Sequence, residues 1–207
     1  MFHASETVTY MAVVLALFLV PGPAVLLTLA RAISGGRRTG VATGLGIATG
    51  DIVHTTAAAI GLSALLMTSS LAFEVVRYLG VAYLIYLGIR SLLEPPADVN
   101  SQKRSIAPAR AYREAVLAEI LNPKTSLFFL AFLPQFVHPE RGSAVLQLIL
   151  LGAIFVAMSA IYTSALALSA GWITRWLRAH PRFVRWQGRV IGAVYITLGI
   201  RLVFQER

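Results

Sequence analysis

Asp51, His54, Glu119 and Lys124 are ionisable side chains set inside long apolar stretches of a 207-residue chain. A charged group at the centre of a helix in hydrocarbon costs roughly 2.5–3.5 kcal/mol on insertion scales, so it persists where something meets it. For Asp51 and Lys124 there are two readings. They contact a substrate or a proton, or they pair with each other and hold a bundle together. The two are compatible if a substrate competes for the pair. A zwitterionic amino acid suits such a site, its carboxylate going to Lys124 or to a half-helix N-terminus and its ammonium to Asp51 or to freed backbone carbonyls. Glu119, five residues before Lys124, is expected in a wet vestibule or snorkelling toward water, with proton carrier as the sharper reading. His54, one turn from Asp51, is in place to share its proton by an i, i+3 contact, although a lone His on a small-residue face is more often a packing hydrogen-bonder. The proton-coupling candidates are therefore Asp51, Glu119 and His54.

Two proline breaks accompany these groups. Pro21-Gly22-Pro23 interrupts the apolar stretch Val8–Ile33, and Asn122-Pro123-Lys124 interrupts Ala115–Phe136. Proline removes a backbone donor and clashes with the preceding turn, and glycine adds freedom. At membrane depth the freed carbonyls must face protein or a wet cavity. In transporters such discontinuous helices form substrate sites, whereas a lone proline kink would need no ligand. Pro21, Gly22, Pro23, Asp51, Asn122, Pro123 and Lys124 are thus the substrate-binding candidates. No catalytic residue, cofactor or metal site is expected. There is no cysteine, and the four histidines (His3, His54, His138, His180) lack metal-binding spacing.

These residues must be positioned by membrane helices. The chain is 57% hydrophobic and 13% charged, with a mean hydropathy of +0.73. A soluble domain would carry about 25% charged residues. The apolar runs are continuous rather than alternating, which argues against a β-barrel. The expected class is an all-α integral membrane protein. Six spans can be marked: Val8–Ile33, Val41–Met67, Leu71–Leu93, Ala115–Phe136, Ala144–Trp172 and Val190–Phe204. They form one transmembrane domain over residues 1–207, with a first half at about 7–93, a polar linker at about 94–113 and a second half at about 114–204. The N-terminal stretch has no basic region and no cleavage signature, so it is read as a retained helix rather than a signal peptide.

The net charge of +9 would suggest nucleic acid in a soluble protein. Here 13 of the 18 basic residues fall in three loops on one side of a six-helix arrangement. By the positive-inside rule that side is cytoplasmic and both termini face outward. Nucleic acid is excluded as a partner. Expected partners are a small amino acid, protons, membrane lipids and, as the oligomer considered, a second copy in a homodimer.

An internal repeat supports the halves. Leu79-Gly80-Val81-Ala82-Tyr83 through Leu87-Gly88-Ile89-Arg90 matches Ile191-Gly192-Ala193-Val194-Tyr195 through Leu198-Gly199-Ile200-Arg201 with one deletion. The first and fourth helices pair more weakly, Pro21 against Pro123, at a constant offset of 102. A repeat of three helices re-enters the membrane from the opposite side, giving two inverted three-helix repeats. At a rise of about 1.5 Å per residue, Gly22, Asp51 and Pro123-Lys124 come to one level slightly cytoplasmic of the midplane. Gly44, Gly46 and Gly50 are read as close helix packing.

Pro21-Gly22-Pro23, Gly50-Asp51, Tyr83 with Leu87-Gly88, Leu121-Asn122-Pro123-Lys124-Thr125, Phe128-Phe129 and Pro134-Gln135-Phe136 occur in this order over about Thr7 to Val203. On these motifs the chain resembles the LysE/RhtB family of bacterial amino-acid exporters. The resemblance implies a six-helix carrier of the bacterial inner membrane that exports amino acids or derivatives using the proton-motive force. Many members follow Pro-Gly-Pro with a polar residue, where this chain has Ala24.

The expected function is a secondary exporter, an antiporter of small amino acids or derivatives against protons, with alternating access at a midplane site. The alternative is an ion or small-solute carrier or channel of the same fold, with Asp51 as an ion ligand. An intramembrane enzyme is disfavoured, since nucleophile and metal-pair motifs are missing.

Overall fold

A computed structural model describes residues 2–19, 22–68 and 106–180, together with scattered positions between 75 and 93 and between 186 and 200. The described residues are helical throughout apart from short connections. The helices are α1 (Ala4–Leu19), α2 (Pro23–Thr68), α3 (Pro108–Ile120), α4 (Pro123–Ala131) and α5 (Ala144–Ala179), with 3-10 turns at Leu133–Phe136 and Pro139–Arg141. Most of the Tyr83 and Tyr195 repeat signatures, the sixth span and Pro21 lie outside the described residues.

α2 is a hairpin rather than one rod. Gly36 sits at φ 77° and ψ 177°, a left-handed φ that a β-carbon disfavours. Beyond it the chain folds back: a β-carbon at Gly40 would lie 2.5 Å from that of Ala32. In a straight helix those residues would be about 12 Å apart. The loop expected at Gly35-Gly36-Arg37-Arg38 is therefore a single-residue turn. α3 starts at Pro108, inside the stretch read as polar linker. Pro108 takes the first helical turn, where a missing donor costs nothing, and Arg110 supports Glu114 one turn on at 2.9 Å.

α5 contributes one uninterrupted apolar helix of membrane-crossing length, Ala144–Trp176. The second broken helix, Pro108–Ile120 continuing through Pro123–Phe136, bends by 47° at its break. The two broken helices run antiparallel, as their contacts show in reverse order: Glu6 with Arg141, Tyr10 with Phe136, Leu17 with Lys124, Arg31 with Glu114.

Burial of apolar side chains gains little in lipid, so close packing decides which faces meet. The second arm of α2 does this with glycine on two faces. A β-carbon at Gly44 would meet Thr163 of α5, and one at Gly46 would meet the Tyr112 carbonyl of α3. An aromatic cluster, Phe128, Phe129, Phe132 and Phe155, fills the space between α4 and α5. Tyr10 is fully buried and donates to the Leu151 carbonyl at 3.0 Å, tying α1 to α5. Large apolar side chains such as Val8, Ile60 and Ile161 are two-thirds exposed, as lipid-facing residues should be.

Candidate functional site

Each break leaves a specific carbonyl without its helical donor. In an α-helix the N–H of residue i bonds the C=O of residue i−4. Pro21 has no N–H, so Leu17 C=O is freed; Pro123 likewise frees Glu119 C=O from its i+4 partner. Lys124 Nζ donates to Leu17 O at 2.9 Å. His54 Nε2 lies 2.8 Å from Glu119 O, which also accepts from Asn122 N at 2.9 Å.

The second break is built by its own sequence. Asn122 is the N-cap of α4, its Oδ1 accepting from Lys124 N at 3.1 Å, with Pro123 in the first turn. That fixes the amide so that Nδ2 points back to Glu119, donating to both carboxylate oxygens at 3.2 and 3.1 Å. Thr125 Oγ1 donates to Glu119 Oε1 at 2.5 Å. Glu119 is 2% exposed. The expectation of a wet vestibule or a snorkelling side chain is therefore corrected: the bend at Asn122 turns Glu119 inward.

Asp51 comes to the same place from α2. Its neighbour Gly50 makes this possible, since a β-carbon there would lie 2.6 Å from Glu119 Cβ. Asp51 is 1% exposed, lies beside the Glu119 carboxyl and the Ser159 hydroxyl, and its Oδ2 has no hydrogen-bond partner among the described residues. Such an orphan is rare, because an unpaired buried polar atom is penalised by about 1–3 kcal/mol, more if charged.

The expected Asp51–Lys124 ion pair is not formed. Asp51 faces Glu119 and Ser159, while the Lys124 ammonium reaches the Leu17 carbonyl and interacts electrostatically with Glu119. The i, i+3 proton link from His54 to Asp51 is replaced as well, because the His54 Nε2 is taken by the Glu119 carbonyl.

These groups enclose one cavity. The first break contributes Leu17, Phe18 and Gly22; α2 contributes Ala24, Val25, Ile47 and Asp51; the second break contributes Glu119, Asn122, Lys124 and Thr125. About 30 Å³ of it is open to the centre of a water molecule, room for roughly two waters. Of the residues singled out in the sequence, the cavity brings together Gly22, Asp51, Glu119, Asn122 and Lys124. Pro23, Pro123 and His54 do not line it.

Sequence reasoning missed the wall supplied by α5: Ser159, Tyr162 and Thr163. Their i, i+3, i+4 spacing is a polar stripe on one face of an otherwise apolar helix, and that stripe was the available signal. Phe18 stacks on Tyr162 with ring centroids 5.5 Å apart, joining α1 to α5 at the cavity wall.

Ion pairs tie the broken helices on either side of the cavity. Toward one end Arg31 meets Glu114 at 2.7 Å. Toward the other, Arg141 Nη1 meets Glu6 Oε1 at 2.8 Å, with His138 Nε2 3.5 Å from the same carboxylate. Gln147, fully buried, shapes the turn that carries His138 and Arg141, accepting from His138 N and donating to the His138 and Gly142 carbonyls.

The site can hold an ammonium group at Asp51 and offers donors at Lys124 and Asn122. Among the described residues no group of three or more His, Cys, Asp or Glu could hold a metal ion.

Residues 15–206 match the family model of the LysE type translocators. An uncharacterized membrane protein of Pseudomonas aeruginosa is 32% identical over 200 residues, covering 94% of this chain and 93% of its own. An uncharacterized membrane protein of Bacillus subtilis is 29% identical over 202 residues, covering 93% and 95%. The homoserine/homoserine lactone efflux protein of Salmonella typhimurium is 29% identical over 187 residues, covering 90% of each chain. No solved structure matches. With nearly its whole length matched, and with the motifs at both breaks in place, the chain belongs to the LysE type translocator family.

Proposed function

We propose that this protein is a secondary exporter of small amino acids or amino-acid derivatives across the bacterial inner membrane, exchanging them for protons by alternating access. The observation that carries this reading is the unpaired Asp51 Oδ2, buried at the cavity where the two proline breaks meet. An acceptor held ready without a donor suits a substrate ammonium. Asn122 and Lys124 line the same cavity, and on this reading their donors turn from Glu119 and Leu17 O to a substrate carboxylate or lactone carbonyl. The efflux protein named above is a relative whose substrates carry both an amine and such an oxygen.

On this reading Asp51, with Glu119 beside it, binds a proton or the substrate ammonium in turn, so the two cross the membrane in opposite directions. The cavity is too small for an amino acid and represents a closed stage. Opening to one side separates Arg31 from Glu114; opening to the other separates Glu6 from Arg141. The antiparallel course of the two broken helices supports a pair of inverted three-helix halves. The basic loops support a multi-pass arrangement with both termini outside.

The test is efflux from cells, with and without the protein, loaded with a panel of amino acids and their lactones or amides. Saturable, proton-linked efflux of at least one of them is expected, and Asp51→Asn should abolish it while leaving membrane insertion intact. Ionic conductance without saturable efflux would favour the channel reading. Full efflux by Asp51→Asn would remove the site.

A further inference from the structure

The two freed carbonyls are each met by a side chain from the other half of the chain. Lys124, from the second broken helix, reaches Leu17 O; His54, from α2, reaches Glu119 O. We infer that His54 is a positioning residue that holds the second break, and with it the Glu119 carboxyl and the Asn122 amide, in binding geometry.

The chemistry fixes the ring. A backbone carbonyl only accepts, so Nε2 must carry a proton, which excludes the neutral tautomer protonated at Nδ1 alone. The imidazole is held against Phe129, with ring centroids 6.0 Å apart. One turn of α2 thereby clasps a single residue at three points. Gly50 leaves room for Glu119 Cβ, Asp51 faces its carboxyl, and His54 takes its carbonyl. Without the ring, Asn122 N remains on that carbonyl as a 3-10 contact at 2.9 Å. The break can then tighten and swing Glu119 away from Asp51. In this role His54 does not carry the transported proton.

The inference rests on the exporter reading for its kinetic test and stands independently of it for its spectroscopic one. Glutamine places its amide nitrogen near the position of Nε2 and cannot titrate, whereas alanine offers no donor. In efflux assays His54→Ala should raise KM about tenfold, the loss of about one hydrogen bond's worth of binding geometry. His54→Gln should stay within about threefold of wild type. Nitrogen-15 spectra of the histidine-labelled full-length protein in lipid, with His54 identified by its loss in His54→Gln, should show a protonated Nε2. A ring protonated at Nδ1 instead, a wild-type KM in His54→Ala, or a glutamine variant no better than alanine would overturn the proposal. If the wild-type protein exports nothing in the panel, the exporter reading falls, and the ring's tautomer still decides the role of His54.

Discussion

The two helix breaks are interrupted alike and furnished differently. The first, Leu17 to Pro23, brings backbone: a freed carbonyl and a glycine, with no ionisable side chain. The second, Glu119 to Lys124, brings a carboxylate, an amide and an ammonium. At the offset of 102 that relates Pro21 to Pro123, Gly22 corresponds to Lys124. A β-carbon at Gly22 would lie 3.1 Å from Lys124 Nζ. Two lysines at these positions would collide, and two glycines would leave Leu17 O bare. The halves share a way of breaking the helix and divide the work of filling the gap.

Four substitutions probe that division, in falling order of effect. Lys124→Met removes the second half's contribution to the first. It should reduce efflux to background, since it removes the donor to Leu17 O and a cation that interacts with Glu119. Retained transport with normal insertion would mean the division is ornamental. Gly50→Ala should follow, with efflux down by tenfold or more and unfolding in detergent easier by about 1–3 kcal/mol, because the new methyl overlaps Glu119 near its backbone. Asn122→Ala removes the cap of α4 and a donor to Glu119. It should cost about 1 kcal/mol of stability and weaken substrate affinity, read as a raised KM. Gly22→Ala should be mildest, a KM change of a few fold, since the atoms it meets belong to the movable end of a lysine. A larger effect from Gly22→Ala than from Gly50→Ala would reverse the comparison, making the first break the more constrained of the two.

The features legible in the sequence were those that are costly in lipid. Pro21, Pro123, Asp51 and Lys124 stand out against apolar neighbours because each needs compensation there, and four of the marked spans coincide with described helices. Partner identities were not legible. Pairing Asp51 with Lys124 assumes that opposite charges at one depth attract each other most, yet the ammonium takes a carbonyl that exists as a free acceptor only after the helix is broken. Glu119 was placed by counting residues along a straight axis, and the bend at Asn122 changes where that residue points. Ser159 and Thr163 escaped notice because hydroxyls cost little in a membrane helix: Thr163 Oγ1 returns its hydrogen bond to Ser159 O, one turn back, at 2.7 Å. The stronger repeat signature, around Tyr83 and Tyr195, lies outside the described residues.

The paired fastenings, Arg31 with Glu114 and Arg141 with Glu6, have a consequence for the cell. A proton-driven pump that rested open to one side would risk leaking the gradient that powers it. On the exporter reading proposed above, the two ion pairs, set on either side of a cavity with room for about two waters, would hold the resting protein shut toward both faces, so that waiting without cargo would spare the gradient.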